Sequence, residues 1–97
     1  MSESKPMSLV DATLAARGKR YGDFSVHASI CQNLKSVIVN TDNYQNRLNS
    51  VQRQALDVIA DKIARILSGD PNYEDNWHDI QGYAKLVEDR LSPDQIS

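Results

Sequence analysis

Two pairs of aspartates sit four residues apart, Asp57 with Asp61 and Asp75 with Asp79. Residues at i and i+4 on a helix share a face. If two helices carrying these pairs pack antiparallel, four carboxylates can converge. Carboxylate oxygens are the donors that Mg²⁺ prefers, and a bound Mg²⁺ polarises the phosphates of a nucleotide. A second group is basic: Arg17, Lys19 and Arg20 surround Gly18, with Tyr21 and Gly22 next. Cationic side chains on a glycine-bearing turn can clamp a phosphate, and Tyr21 can stack on a base. Lys62 and Arg65 are two further cations for the same phosphates. The spacing of a Walker loop is absent. A third group is His27 with Cys31, four apart on one face and able to supply two metal ligands, although no second pair of suitable spacing follows.

Each group also has a purely structural reading. Asp75 suits a helix N-terminus, where a negative charge complements the dipole. Asp61 can pair with Arg65 one turn on, and Asp79 with Lys62 or Arg65 across a helix interface. The basic turn suits a helix C-terminus. His27 and Cys31 suit a core that holds a structural histidine and a buried thiol.

The elements that must position these residues read as helices. Ser8 with Asp11 resembles a capping box, and Val10, Leu14 and Ala15 share a face of a short helix that Gly18 ends. The next helix spans about Asp23 to Val39, capped by Asp23 or Ser25. Its apolar stripe holds Phe24, Ile30, Cys31, Leu34, Val37 and Ile38. The Asn-rich stretch 40–50 reads as a loop. A third helix covers 51–68, started by Asn49 or Ser50 and stopped by Gly69 and Pro71. Its stripe is Leu56, Ile59, Ala60, Ile63, Ile66 and Leu67. A fourth begins between Asn72 and Asp75 and runs to about Leu91, with Trp77, Ile80, Tyr83, Ala84, Val87 and Leu91 on one face and Pro93 beyond. Gly82 falls inside it, which implies a close approach by another helix or a ligand. No sustained alternation marks a strand. The expected fold is all-α, a small helical bundle of three main helices plus a short N-terminal one. Residues 8–92 form its single domain, between a flexible N-terminal tail (1–7) and a C-terminal tail (93–97).

Composition narrows the function. Ninety-seven residues suit one domain with a modest core, for which self-association adds stability. A net charge of −2 argues against a protein that coats nucleic acid. The one cysteine excludes an internal disulfide and multi-cysteine zinc sites. No apolar run approaches the roughly 20 residues of a membrane span, and the N-terminus lacks a signal-peptide core. The expected compartment is the cytoplasm of a bacterial host.

Three stretches in order, "RYGDF" at 20–24, "KIARILSGDP" at 62–71 and "DNWHDIQGYAKL" at 75–86, resemble a family of small phage and prophage proteins of unassigned function. The likeness covers about residues 8–91 and implies a phage or prophage origin and a helical fold. A second resemblance is to the MazG-like all-α nucleoside triphosphate pyrophosphohydrolases. These carry E-x-x-E on one helix and E-x-x-D on a later one and bind Mg²⁺. The corresponding places here hold Asp57 and Asp61, then Asp75 and Asp79, with no glutamate and with i,i+4 spacing.

The leading expectation is a non-enzymatic phage-type accessory protein without a cofactor. It acts as a homo-oligomer by binding a host protein or a nucleotide-like ligand, the latter through Arg17, Lys19, Arg20, Tyr21, Lys62 and Arg65. The alternative is a Mg²⁺-dependent pyrophosphohydrolase built on the four aspartates. A DNA-binding regulator ranks last, because no helix-turn-helix is evident.

Overall fold

Short polar side chains set where the helices begin. The structure, a computed structural model, describes residues 8–14 and 23–91. In helix α1 (residues 9–14), the Ser8 hydroxyl accepts from the Asp11 backbone N–H at 3.0 Å. Helix α2 (Phe24–Val39) is capped by Asp23, whose carboxylate accepts from the Ser25 N–H at 2.7 Å. Helix α3 (Ser50–Ser68) opens with a reciprocal capping box. The Asn49 side chain accepts from the Gln52 N–H, and the Gln52 side chain accepts from the Asn49 N–H, both at 2.9 Å. Gly69 ends α3 by donating its N–H to the Arg65 carbonyl. Asp70 then folds the turn by accepting from the Asn72 N–H, and α4 (Glu74–Leu91) follows.

The 40–50 stretch is more ordered than the loop expected there. Asn43–Arg47 form one turn of π-helix, closed by the Leu48 N–H on the Asn43 carbonyl at 2.8 Å. The Gln45 side chain donates to the Val39 carbonyl and so satisfies the end of α2. Arg53 of α3 donates to the Gln45 carbonyl and lies over the Tyr44 ring, which ties this turn to α3.

Helix α3 is the middle element and packs against both α2 and α4. Short connections make each neighbour antiparallel. The side chains show which side of α3 meets which helix. Asp57 and Asp61 meet groups of α2 and the following turn. Val51, Ala55 and Lys62 meet α4. At about 100° per residue, Ala55 lies about 160° around the helix from Asp57. The two neighbours therefore meet α3 on different faces, and α2 and α4 share no packed seam of their own. The fold is all-α, a small bundle with three main helices in an open arrangement, α2 and α4 each packing on α3. Among the described residues there is no strand.

This layout leaves little fully covered. Among the described residues, Cys31, Ala55, Ala60 and Ala64 are the buried apolar ones, joined by the buried polar Asn76. The alanines let the backbones approach. Several residues expected inside are instead exposed: Phe24 at 79%, Leu67 at 63% and Trp77 at 52%, together with Val37 and Leu91. An outer helix with one neighbour covers only a narrow arc, so the rest of its stripe faces outward. The close approach expected at Gly82 is also absent. A Cβ built there meets nothing within 4 Å. The tails at 1–7 and 93–97, with Ala15, Gly18 and Pro93, lie outside the described residues.

Candidate functional site

His27 and Cys31 stand one turn apart on α2 and face α3, where Asp61 meets both. The Asp61 Oδ1 accepts from His27 Nε2 at 3.2 Å and from the Cys31 thiol at 3.4 Å. Cys31 is 3% exposed, while His27 lies largely covered and Asp61 half-buried at the rim. The Phe24 ring stacks on His27 at 6.1 Å between centroids. Among the described residues these three alone form a group of three or more His, Cys, Asp or Glu donors close enough to hold one ion, all within 4.8 Å of one another. The other imidazole nitrogen, Nδ1, is buried without a hydrogen-bond partner.

Electrostatics keep this thiol protonated. Burial pushes Cys31 above its ordinary value of 9.0, and the hydrogen bond to Asp61 and the Asp61 charge push the same way. Lys35 and Arg65 oppose them more weakly. A nucleophilic cysteine needs the reverse, a thiolate made by a base. The order of groups is also wrong for a triad. There the histidine stands between nucleophile and carboxylate, whereas Asp61 here stands between the thiol and the imidazole.

The four aspartates do not meet. Asp61 is held by His27 and Cys31. Asp57 accepts from the Tyr44 hydroxyl at 3.4 Å. Asp79 pairs with Lys62 at 2.8 Å across the α3–α4 seam, one of the two pairings its position suggested. Asp75, in the first turn of α4, accepts from the Tyr73 hydroxyl at 2.7 Å. The helices do pack antiparallel, yet Asp61 turns toward α2 and Asp57 toward Tyr44 in the turn after it, while Asp75 and Asp79 ride on α4, which meets a different face of α3. Among the described residues no three of these acids share one ion's reach.

The phosphate candidates divide as well. Arg17, Lys19, Arg20 and Tyr21 lie outside the described residues. Lys62 is engaged by Asp79. That pairing holds the Asp79 carboxyl below its ordinary 3.8, first through the hydrogen bond from Lys62 and then through the Lys62 charge, against partial burial. Arg65 lies near enough to act on Asp79 and on the Cys31 thiol.

Sequence reading placed Asp61 in an acidic quartet and missed its place beside His27 and Cys31. A signal for it exists. In an antiparallel hairpin of helices, residues equidistant from the middle of the connection face one another. Tyr44 lies near the middle of 40–49; His27 is 17 residues before it (44 − 27) and Asp61 is 17 after it (61 − 44).

A shallow apolar groove of about 260 Å³ runs between the start of α3 and the end of α4. Val51, Ala55, Tyr83 and Leu86 line it, and Leu86 is 49% exposed. On α1, Leu9, Val10 and Leu14 form a second exposed apolar face. Comparison with protein-family models, with curated proteins and with solved structures finds no match for the chain.

Proposed function

We propose that this chain is a non-enzymatic accessory protein of the phage and prophage type, which works as a homo-oligomer and acts by binding a host protein or a nucleotide-like ligand. One observation carries the reading: α2 and α4 each pack on α3 and share no seam, so the bundle stays open. A stable domain normally encloses its core between two layers. Among the described residues no second layer closes the bundle, and large apolar side chains on every described helix stay exposed. A second copy supplies such a cover, because two such faces shield each other in an isologous dimer. A standard interface takes about 800 Å² from each partner, roughly a ninth of this chain's 7294 Å² of accessible surface. The groove lined by Val51, Ala55, Tyr83 and Leu86 is the face assigned to the second copy.

The site geometry supports binding over catalysis. The four acids are engaged with separate partners, and the best-buried reactive group is a thiol held in its unreactive form.

Sedimentation equilibrium over a range of protein concentrations tests the reading. The expected result is reversible dimerisation of the wild type, abolished in Leu86→Glu with far-ultraviolet circular dichroism unchanged. Leu86 is half exposed within one chain, so the glutamate burdens the interface far more than the fold. A wild type that stays monomeric at the highest concentration would overturn the proposal.

A further inference from the structure

We propose that His27, Cys31 and Asp61 form a binding site for a divalent transition-metal ion of the zinc class, clamped between α2 and α3. This goes beyond the docking function and rests on a different seam of the molecule.

Three features select the metal. The first is the donor set: one imidazole nitrogen, one sulfur and one carboxylate oxygen. Zinc accepts all three types, whereas Mg²⁺ and Ca²⁺ take oxygen donors and have no use for a buried sulfur. The second is distance. Zinc bonds of about 2.0–2.3 Å place tetrahedral donors about 3.3–3.8 Å apart. Asp61 Oδ1 lies 3.2 Å from His27 Nε2 and 3.4 Å from Cys31 Sγ. The third edge, from imidazole to thiol, falls within 4.8 Å. The contraction or expansion required at each edge is a few tenths of an ångström to about one ångström, within the reach of side-chain rotation. The third feature is placement. His27 and Cys31 are fixed one turn apart on a single helix, and Asp61 comes from the facing helix, so the backbone preorganises the triangle.

Binding balances as a ligand exchange. The ion replaces the thiol proton of Cys31 and the proton that His27 Nε2 shares with Asp61. Sulfur and nitrogen then direct their lone pairs at the metal. The thiol proton leaves to solvent, and the imidazole proton moves to Nδ1, the nitrogen now without a partner. No oxidant or reductant is involved. Three protein donors leave the fourth tetrahedral position to water or to a ligand atom, the pattern of an open zinc site. The half-buried Asp61 at the rim gives the entry path. A metal-bound histidine ordinarily donates its other N–H to an acceptor, and losing that partner costs about 10–100-fold in affinity. Nδ1 has none here, so the site binds more weakly than a fully supported zinc centre.

The test is a Co²⁺ titration of the full-length, reduced, chelator-treated protein, followed by absorption. The expected result is one equivalent per chain, with a thiolate-to-cobalt charge-transfer band and the visible bands of a tetrahedral centre, both bleached by Zn²⁺. Cys31→Ser should remove the charge-transfer band. His27→Gln and Asp61→Asn should keep the thiolate band but weaken binding at least tenfold. Circular dichroism checks that each variant is folded, and if one is not, protection of the wild-type Cys31 thiol from alkylation by Zn²⁺ gives a second readout. Absence of the band and of protection in the folded wild type would overturn the site. So would unchanged affinity in folded His27→Gln and Asp61→Asn, which would mean the thiol alone binds. Half an equivalent per chain would place the ion between two copies and overturn it equally.

Discussion

Replacing Gly82 by alanine should stabilise the folded monomer. Gly82 lies inside α4, on an exposed stretch, and a Cβ built there meets nothing within 4 Å. No contact opposes the methyl group. What remains is the backbone term: glycine in a helix interior costs about 0.8–1.0 kcal/mol relative to alanine, mostly because the unfolded chain loses more freedom on folding. The expected gain is therefore about 1 kcal/mol, or roughly 4–8 °C in Tm for a domain of this size. Urea unfolding of wild type and Gly82→Ala, at a protein concentration low enough to keep both monomeric, measures it as a higher midpoint with the same slope. An unchanged or lowered midpoint would refute the reasoning, because it would mean that something fills the space beside Gly82 in the single chain. Gly82 lies one turn before Leu86 on the flank of the assigned docking groove. Repeating the measurement at rising concentration separates the monomer's gain from any penalty the methyl group imposes on a second copy.

Two further substitutions probe the start of α3 and the α3–α4 seam. Asn49→Ala removes the side-chain half of the capping box, the bond from the Gln52 N–H to the Asn49 side chain, and should cost about 1 kcal/mol in urea unfolding; no loss would mean that α3 starts equally well without its cap. Asp79 is held below its ordinary 3.8 by Lys62. On acidification the unfolded chain therefore protonates first. The stabilisation is present above about pH 3.8 and is lost as the pH falls through the lower folded-state value. Asp79→Asn should flatten the acid limb of a stability–pH curve, by an amount that shrinks in high salt because the pair is partly exposed; an acid limb parallel to the wild type's would contradict the pairing.

The helix ends were legible because single residues decide them. Asp23, Asn49 and Gly69 act within a few residues of their own position, and the structure starts and stops α2 and α3 within one residue of where they direct. Burial was less legible. A 3.6-residue period marks Leu67 and Trp77 as apolar members of their stripes, but it is silent on how many neighbours each helix acquires. With α3 packed between two neighbours, the small residues Ala55, Ala60 and Ala64 became the covered ones, and larger side chains were left on the open faces. The π-turn at Asn43–Arg47 was hidden for another reason. Asn-rich segments offer the backbone several side-chain partners, and the Gln45 and Arg53 bonds that fix this turn are made across the loop, beyond any local pattern.

The same geometry explains why the acids divided and why the two proposals are separable. Spacing alone correctly puts Asp57 and Asp61 on one face of α3, but which helix that face meets depends on the arc between them and Lys62. One residue, about 100° of rotation, carries the chain from Asp61, turned toward α2, to Lys62, turned toward α4. An ion at Asp61 therefore joins α2 to α3 and leaves the α3–α4 groove untouched. It follows that Cys31→Ser can lose metal without losing dimerisation, and Leu86→Glu can lose dimerisation without losing metal. A variant at either place that abolished both would mean that the two seams are coupled through α3, and the picture of two separate seams on different faces of α3 would have to give way.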